Sequence, residues 1–153
     1  MSSIRSRLAM LLVVLAATFG VAAGAHAEID PKALAVIPFD KLEFNGKPGA
    51  PQTATLFGDP SKPGMYGIII KWPPHTGSRP HSHPNARYIT VLSGTWWVNT
   101  GAKYSPDTMV PMKPGAFVIH YPDQIHYDGA KDEPAMIYIV GMGPAPVVDR
   151  EEK

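Results

Sequence analysis

The chain has no cysteine among its 153 residues. It therefore has no disulfide to staple it, no thiolate to offer a metal and no cysteine nucleophile. It also lacks an excess of charge, with 14 Lys and Arg against 13 Asp and Glu. So even a balance leaves no electrostatic footprint for nucleic acid and no polybasic patch for a membrane surface. Helical periodicity is scarce as well. Beyond residue 27 no apolar pattern with a 3.6-residue period lasts longer than about two turns, which excludes a helical bundle. No internal repeat or low-complexity segment is present, which excludes a solenoid.

What is there begins with a leader. Arg5 and Arg7 precede a nearly unbroken apolar run, Leu8 to Ala23, and Ala25-His26-Ala27 follows with small residues flanking one position. That order is the pattern of a secretory signal peptide cleaved after Ala27, and the run is short for a spanning helix. No Arg-Arg pair marks the twin-arginine route. The expectation is a periplasmic or secreted protein, with residues 1–27 removed and no membrane attachment afterwards. Removal takes two of the 14 basic residues and none of the 13 acidic ones, so residues 28–153 carry a net charge of −1. Those 126 residues suit a single domain with a modest core.

Within them, short β-branched and aromatic runs alternate with turn residues. Gln52–Phe57, Tyr66–Trp72, Arg87–Leu92, Ala116–Tyr121 and Ala135–Val140 read as strands, and Ile125-His126-Tyr127 begins another. Leu34–Phe39 reads as a first strand, Ser93-Gly94-Thr95 as a hairpin turn into Trp96-Trp97-Val98, and the tail from Gly143 as loose. Of the paired tryptophans, one should face the core, or form a pocket wall, and the other should face outward. With 17 prolines and 14 glycines as punctuation, the pattern implies an all-β sandwich or barrel.

Without cysteine, any metal ligands must be imidazoles, carboxylates or water. His81-Ser82-His83 places two imidazoles on one face of an extended segment, because side chains alternate with period two. Such a pair is half of a metal site, and His126 lies far enough downstream to return on another strand. Singly, a histidine in a barrel is more often a packed or surface group, and His75 is read that way. His120 is weighed between that role and supporting a ligand or transferring a proton. Tyr88, Tyr121 and Tyr127 are candidates for pocket hydroxyls.

Gly77-x-x-x-His81-x-His83-x-x-x-Arg87, closed by Gly94, resembles the first signature of the cupin superfamily. Gly115, Tyr121, Asp123 and His126 resemble the second, in which proline and glycine stand where Tyr121 and Asp123 are. The asparagine usual four residues after the histidine is Ala130 here. The resemblance implies a double-stranded β-helix, or jelly-roll barrel, with its core at about residues 52–142. It further implies that His81, His83 and His126 hold a divalent transition metal, whether Fe, Mn, Ni, Cu or Zn, and that the protein is a homodimer. Leu34–Phe39 would then be the edge that pairs across the two-fold axis.

The glutamate of the first signature is replaced by Arg87. A guanidinium cannot ligate a cation and repels one at close range. Either the ion sits on three histidines, or Arg87 replaces its charge and clamps an anion bidentately. The first alternative implies an exported enzyme, an oxygenase, lyase or isomerase acting on a small oxygen-containing, anionic molecule. Arg87 would orient a carboxylate or enolate, and His120 or Tyr127 would move a proton. The second implies a non-catalytic module that binds a small molecule or a metal. A third reading, an interaction domain with relic histidines, needs no ligand at all.

Overall fold

Alternating apolar side chains give each strand one face that must leave water, and two sheets close over those faces. The computed structural model describes residues 28–153; the expected signal peptide lies outside the described residues. Residues 36–153 make one compact body, and the earlier residues belong to a separate unit. The strands of the compact body are β1 (Gln52–Phe57), β2 (Gly64–Trp72), β3 (Thr76–Gly77), β4 (His81–Ser82), β5 (Arg87–Ser93) and β6 (Trp96–Thr100). They continue with β7 (Val110–Met112), β8 (Phe117–His120), β9 (His126–Ala130), β10 (Ala135–Gly143) and β11 (Val148–Asp149). One sheet runs β1-β2-β10-β5-β8 and the other β11-β4-β9-β6-β7, with β3 also on β9. All named pairings are antiparallel. This is the two-sheet, all-β barrel that the strand pattern predicts.

The core follows from β-branched residues at every second position. Ile68, Ile139 and Ile89 are cross-strand neighbours along β2, β10 and β5, and all three are buried. Trp96 closes against this cluster from the other sheet, with no exposed surface. Each such side chain contributes about 1.5–3 kcal/mol on full burial. Trp97 points the opposite way, and Lys131 lies over its ring at 4.0 Å.

Three local readings are corrected. Ser93-Gly94-Thr95 is not a hairpin turn, because β5 pairs β10 and β8 while β6 pairs β9 and β7. The segment carries the chain from one sheet to the other. Leu34–Phe39 forms no strand; its apolar side chains are exposed, and only a short 3-10 turn, Phe39–Lys41, follows. No edge is therefore offered there for pairing across a two-fold axis. The tail is not loose, since β11 pairs with β4, the Arg150 N–H donates to the Pro80 carbonyl and the Glu152 N–H to that of Ala102.

Gly94 is where the crossover depends on glycine. Its φ is +70°, and a Cβ there would collide with the Pro134 carbonyl oxygen. Gly94→Ala is expected to destabilise the fold by at least about 2 kcal/mol, from left-handed strain and displaced backbone together. Urea unfolding checks this, and an unchanged midpoint would contradict it.

Candidate metal centre

The histidines come together because β4 and β9 are neighbours and His81 is paired directly with His126. The chain bends at Pro84 to Ala86 and re-enters the opposite sheet at Arg87, so Arg87 faces the histidines from across the barrel rather than along their own strand. His81, His83, Arg87, His120 and His126 are all buried. A ring nitrogen from each of His81, His83 and His126 lies within 4.8 Å of the others.

Each ring of the trio is fixed by its backbone. His81 Nδ1 meets the Arg79 carbonyl at 2.8 Å, His83 Nδ1 that of Pro146 at 3.0 Å and His126 Nδ1 that of Gln124 at 3.0 Å. A carbonyl only accepts, so each Nδ1 carries the proton and each Nε2 keeps its lone pair. The Pro146 contact shows why the tail matters: it holds His83.

Burial keeps the rings of His83, His120 and His126 neutral. Burial, with the Arg87 charge next, pushes His83 down to about 3. Burial and then His126 push His120 down to about 2, and burial and then His81 push His126 to about 4. Neutral imidazole is the form that ligates metal.

The spacing of the rings comes near that of one ion's ligands. Ligated about 2.0–2.1 Å from each nitrogen, an ion sits roughly 3.2 Å from each ring centre, so right-angled to tetrahedral ligand sets put centres roughly 4.5–5.2 Å apart. The trio's ring centres are 5.0, 4.4 and 5.6 Å apart, one inside that range, one just below it and one above it. The buried Nε2 of His126 has no hydrogen-bond partner, a cost that an ion would remove. His120 stands differently. Its ring lies 3.7 Å from that of His126 and tilted 38° to it, and these two rings with Asp128 form a second group of candidate ligand atoms within 4.8 Å of one another. That contact places His120 where it can hold the His126 ring in position.

Arg87 opposes an ion at one point: its Nη1 donates to His83 Nε2 at 2.5 Å. It sits in a row across the sheet, paired with Gly141 on one side and His120 on the other, and Gly141 is paired in turn with Tyr66. A Cβ at Gly141 would come 2.8 Å from the Tyr66 hydroxyl, so the glycine makes room for that phenol beside Arg87. A cavity of about 470 Å³ opens in front, lined by Tyr66, His81, His83, Arg87 and Asp128 among others.

Tyr127 is not part of this arrangement. It lies between His126 and Asp128 on β9, so alternation turns it away, and its hydroxyl bonds the backbone of Ser105. Tyr88 and Tyr121 are exposed on the surface. Trp96 packs against His120 at 5.8 Å, while Trp72 rather than Trp96 lines the cavity. Asp128 was missed, although its position two residues after His126 signals the same face. Its Oδ1 accepts a 2.9 Å hydrogen bond from Ser78, and a carboxylate oxygen lies within 4.8 Å of ring nitrogens of His120 and His126. Tyr66 was missed because it sits outside both histidine motifs.

The neutral histidines predict an acid-sensitive fold. Their folded proton affinities lie below the unfolded value of about 6.5, so stability is complete above that pH and falls as pH drops toward 4. In metal-free protein the loss at pH 5 is about 2 kcal/mol per histidine. Urea unfolding at pH 7.5 and pH 5 checks this, and equal midpoints would contradict it.

No family model and no curated protein matches the sequence. Solved structures do match. The polyketide cyclase RemF from Streptomyces resistomycificus aligns with a TM-score of 0.63 and 16% identity, over 78% of this chain and 87% of that one. An uncharacterised protein with a double-stranded β-helix domain from Klebsiella pneumoniae aligns at 0.59 and 20%, over 76% and 97%. An RmlC-like cupin from Shewanella frigidimarina aligns at 0.56 and 12%, over 69% and 87%. At such identities the likeness speaks for architecture, and together with the strand order above it makes this chain a double-stranded β-helix of the cupin fold.

Proposed function

We propose that the protein is an exported enzyme that acts on a small, oxygen-containing anion through a divalent transition metal held by His81, His83 and His126. The observation that carries this reading is the fixing of all three Nδ1 atoms by backbone carbonyls, which leaves the Nε2 lone pairs bare on three rings that bring a nitrogen each within 4.8 Å of one another. Carbonyl partners of this kind set the tautomer and orientation of metal-ligating histidines. Imidazole suits iron, manganese, nickel, copper and zinc alike. When bound, the ion supplies Lewis-acid polarisation of a substrate oxygen, undiminished by a carboxylate among its three neutral ligands. Arg87 binds and orients the anionic group. His120 packs against the His126 ring, and the Asp128 carboxylate, fixed by Ser78, faces the cavity. The reaction belongs to the oxygenase, lyase or isomerase classes. Export rests on the leader pattern of residues 1–27, and homodimerisation on the resemblance to cupins.

A second reading is favoured by the Arg87 contact to His83 Nε2. In it Arg87 supplies the positive charge itself, and the barrel is a non-catalytic module that binds an anion.

Elemental analysis of the purified protein separates the two. The enzyme reading predicts one transition-metal ion per chain, lost in a His81→Ala, His126→Ala double variant. Arg87→Glu should tighten metal binding roughly tenfold or more by removing a repelling charge and adding a carboxylate. No stoichiometric metal in the unaltered protein would contradict the metal centre, and weaker binding in Arg87→Glu would contradict the place given to Arg87 beside it.

A further inference from the structure

The cavity is asymmetric, and its asymmetry describes a ligand. Ile68, Ile70, Trp72 and Ile137 make one wall largely apolar, its polar atoms being the Trp72 indole nitrogen and the hydroxyl of Thr53, the cross-strand partner of Ile70. The four apolar side chains come from alternate positions of β2 and from its neighbour β10, so the wall is a smooth, rigid patch of sheet. The opposite wall carries His81, His83 and Asp128.

Arg87 stands at the end of the apolar wall and is 92% buried, its relative exposure being 8%. Among the described residues no carboxylate lies within 4.0 Å of it, and its Nε has no hydrogen-bond partner. A buried guanidinium without an anion is unfavourable, and a bound anion relieves it. Arg79, the other arginine on the cavity lining, is already paired with Glu151. That leaves Arg87 as the cation available to a ligand, with the Tyr66 hydroxyl seated beside it over Gly141.

We infer that the cavity takes a flat, largely apolar molecule bearing one anionic oxygen group, with the anionic end at Arg87 and Tyr66 and the ring body against the β2–β10 wall. This rests on the functional reading above only in putting the reacting end beside the histidines. A volume of about 470 Å³ falls within the range of sites that enclose a two- or three-ring organic ligand. A small dicarboxylate would leave the apolar wall wet. A neutral ring compound would leave Arg87 without a counter-charge.

Calorimetric titration with 1-hydroxy-2-naphthoate, succinate and neutral 2-naphthol tests this, on the chain with and without one equivalent of Ni(II). Naphthoate should bind one per chain, roughly tenfold or more tighter than either of the others. Arg87→Gln should weaken naphthoate roughly tenfold and leave 2-naphthol unchanged. Ile70→Asn should weaken both ring compounds; if it does not fold, the three ligands on the unaltered chain decide the matter. Succinate bound as tightly as naphthoate, or naphthoate indifferent to Arg87→Gln, overturns the inference. Naphthoate ignored by protein that holds nickel overturns the ligand class and leaves the metal centre standing. Naphthoate bound by protein that takes up no nickel supports the ligand class and removes the metal.

Discussion

Three backbone carbonyls, those of Arg79, Gln124 and Pro146, hold the centre of this molecule in order. Each receives one Nδ1–H, and each therefore decides which side of an imidazole is left bare. A histidine free to choose its tautomer would present either nitrogen, and burial would then favour whichever one found a donor. Here the choice is made by main chain, which does not rotate. The three carbonyls come from three separate stretches of chain, so the centre exists only when the barrel is closed and the tail is in place.

The surroundings make that arrangement consequential. A low-dielectric interior keeps His83, His120 and His126 neutral well below neutrality. It also raises the cost of Arg87, the one buried cation among the described residues of the cavity wall without a carboxylate partner. Arg87 meets His83 Nε2 for want of anything better, and the same contact places it where an incoming anion would find it. Competition for one lone pair thus links ion, arginine and ligand. Under the proposed function, an anion that draws Arg87 away would leave His83 free to coordinate.

Much of the barrel was legible in the letters because β-branched residues at alternate positions have few other uses. The histidine trio was legible because a period of two puts His81 and His83 on one face, whatever the strand pairs with. The failures share a cause. Ser93-Gly94-Thr95 signals a tight turn but carries nothing about which sheet receives the next strand. Leu34–Phe39 has strand composition without a partner, and pairing is a tertiary property. The tail looked loose because two-residue β11 is held by main-chain bonds and by Arg79–Glu151, none of which leaves an apolar pattern. Tyr127 and Asp128 were open to correction by alternation alone, since they flank opposite faces beside His126. Asp123 is instructive as well. It adopts φ +59° at a position where the resembling signature has glycine, and aspartate is among the few residues that tolerate that conformation.

The tautomers of the three histidines test the account most directly. Long-range proton–nitrogen correlation spectra of the metal-free protein at pH 8 read each ring separately. His81, His83 and His126 should each carry the ring proton at Nδ1 and none at Nε2. Protonation at Nε2 in any of the three would contradict this.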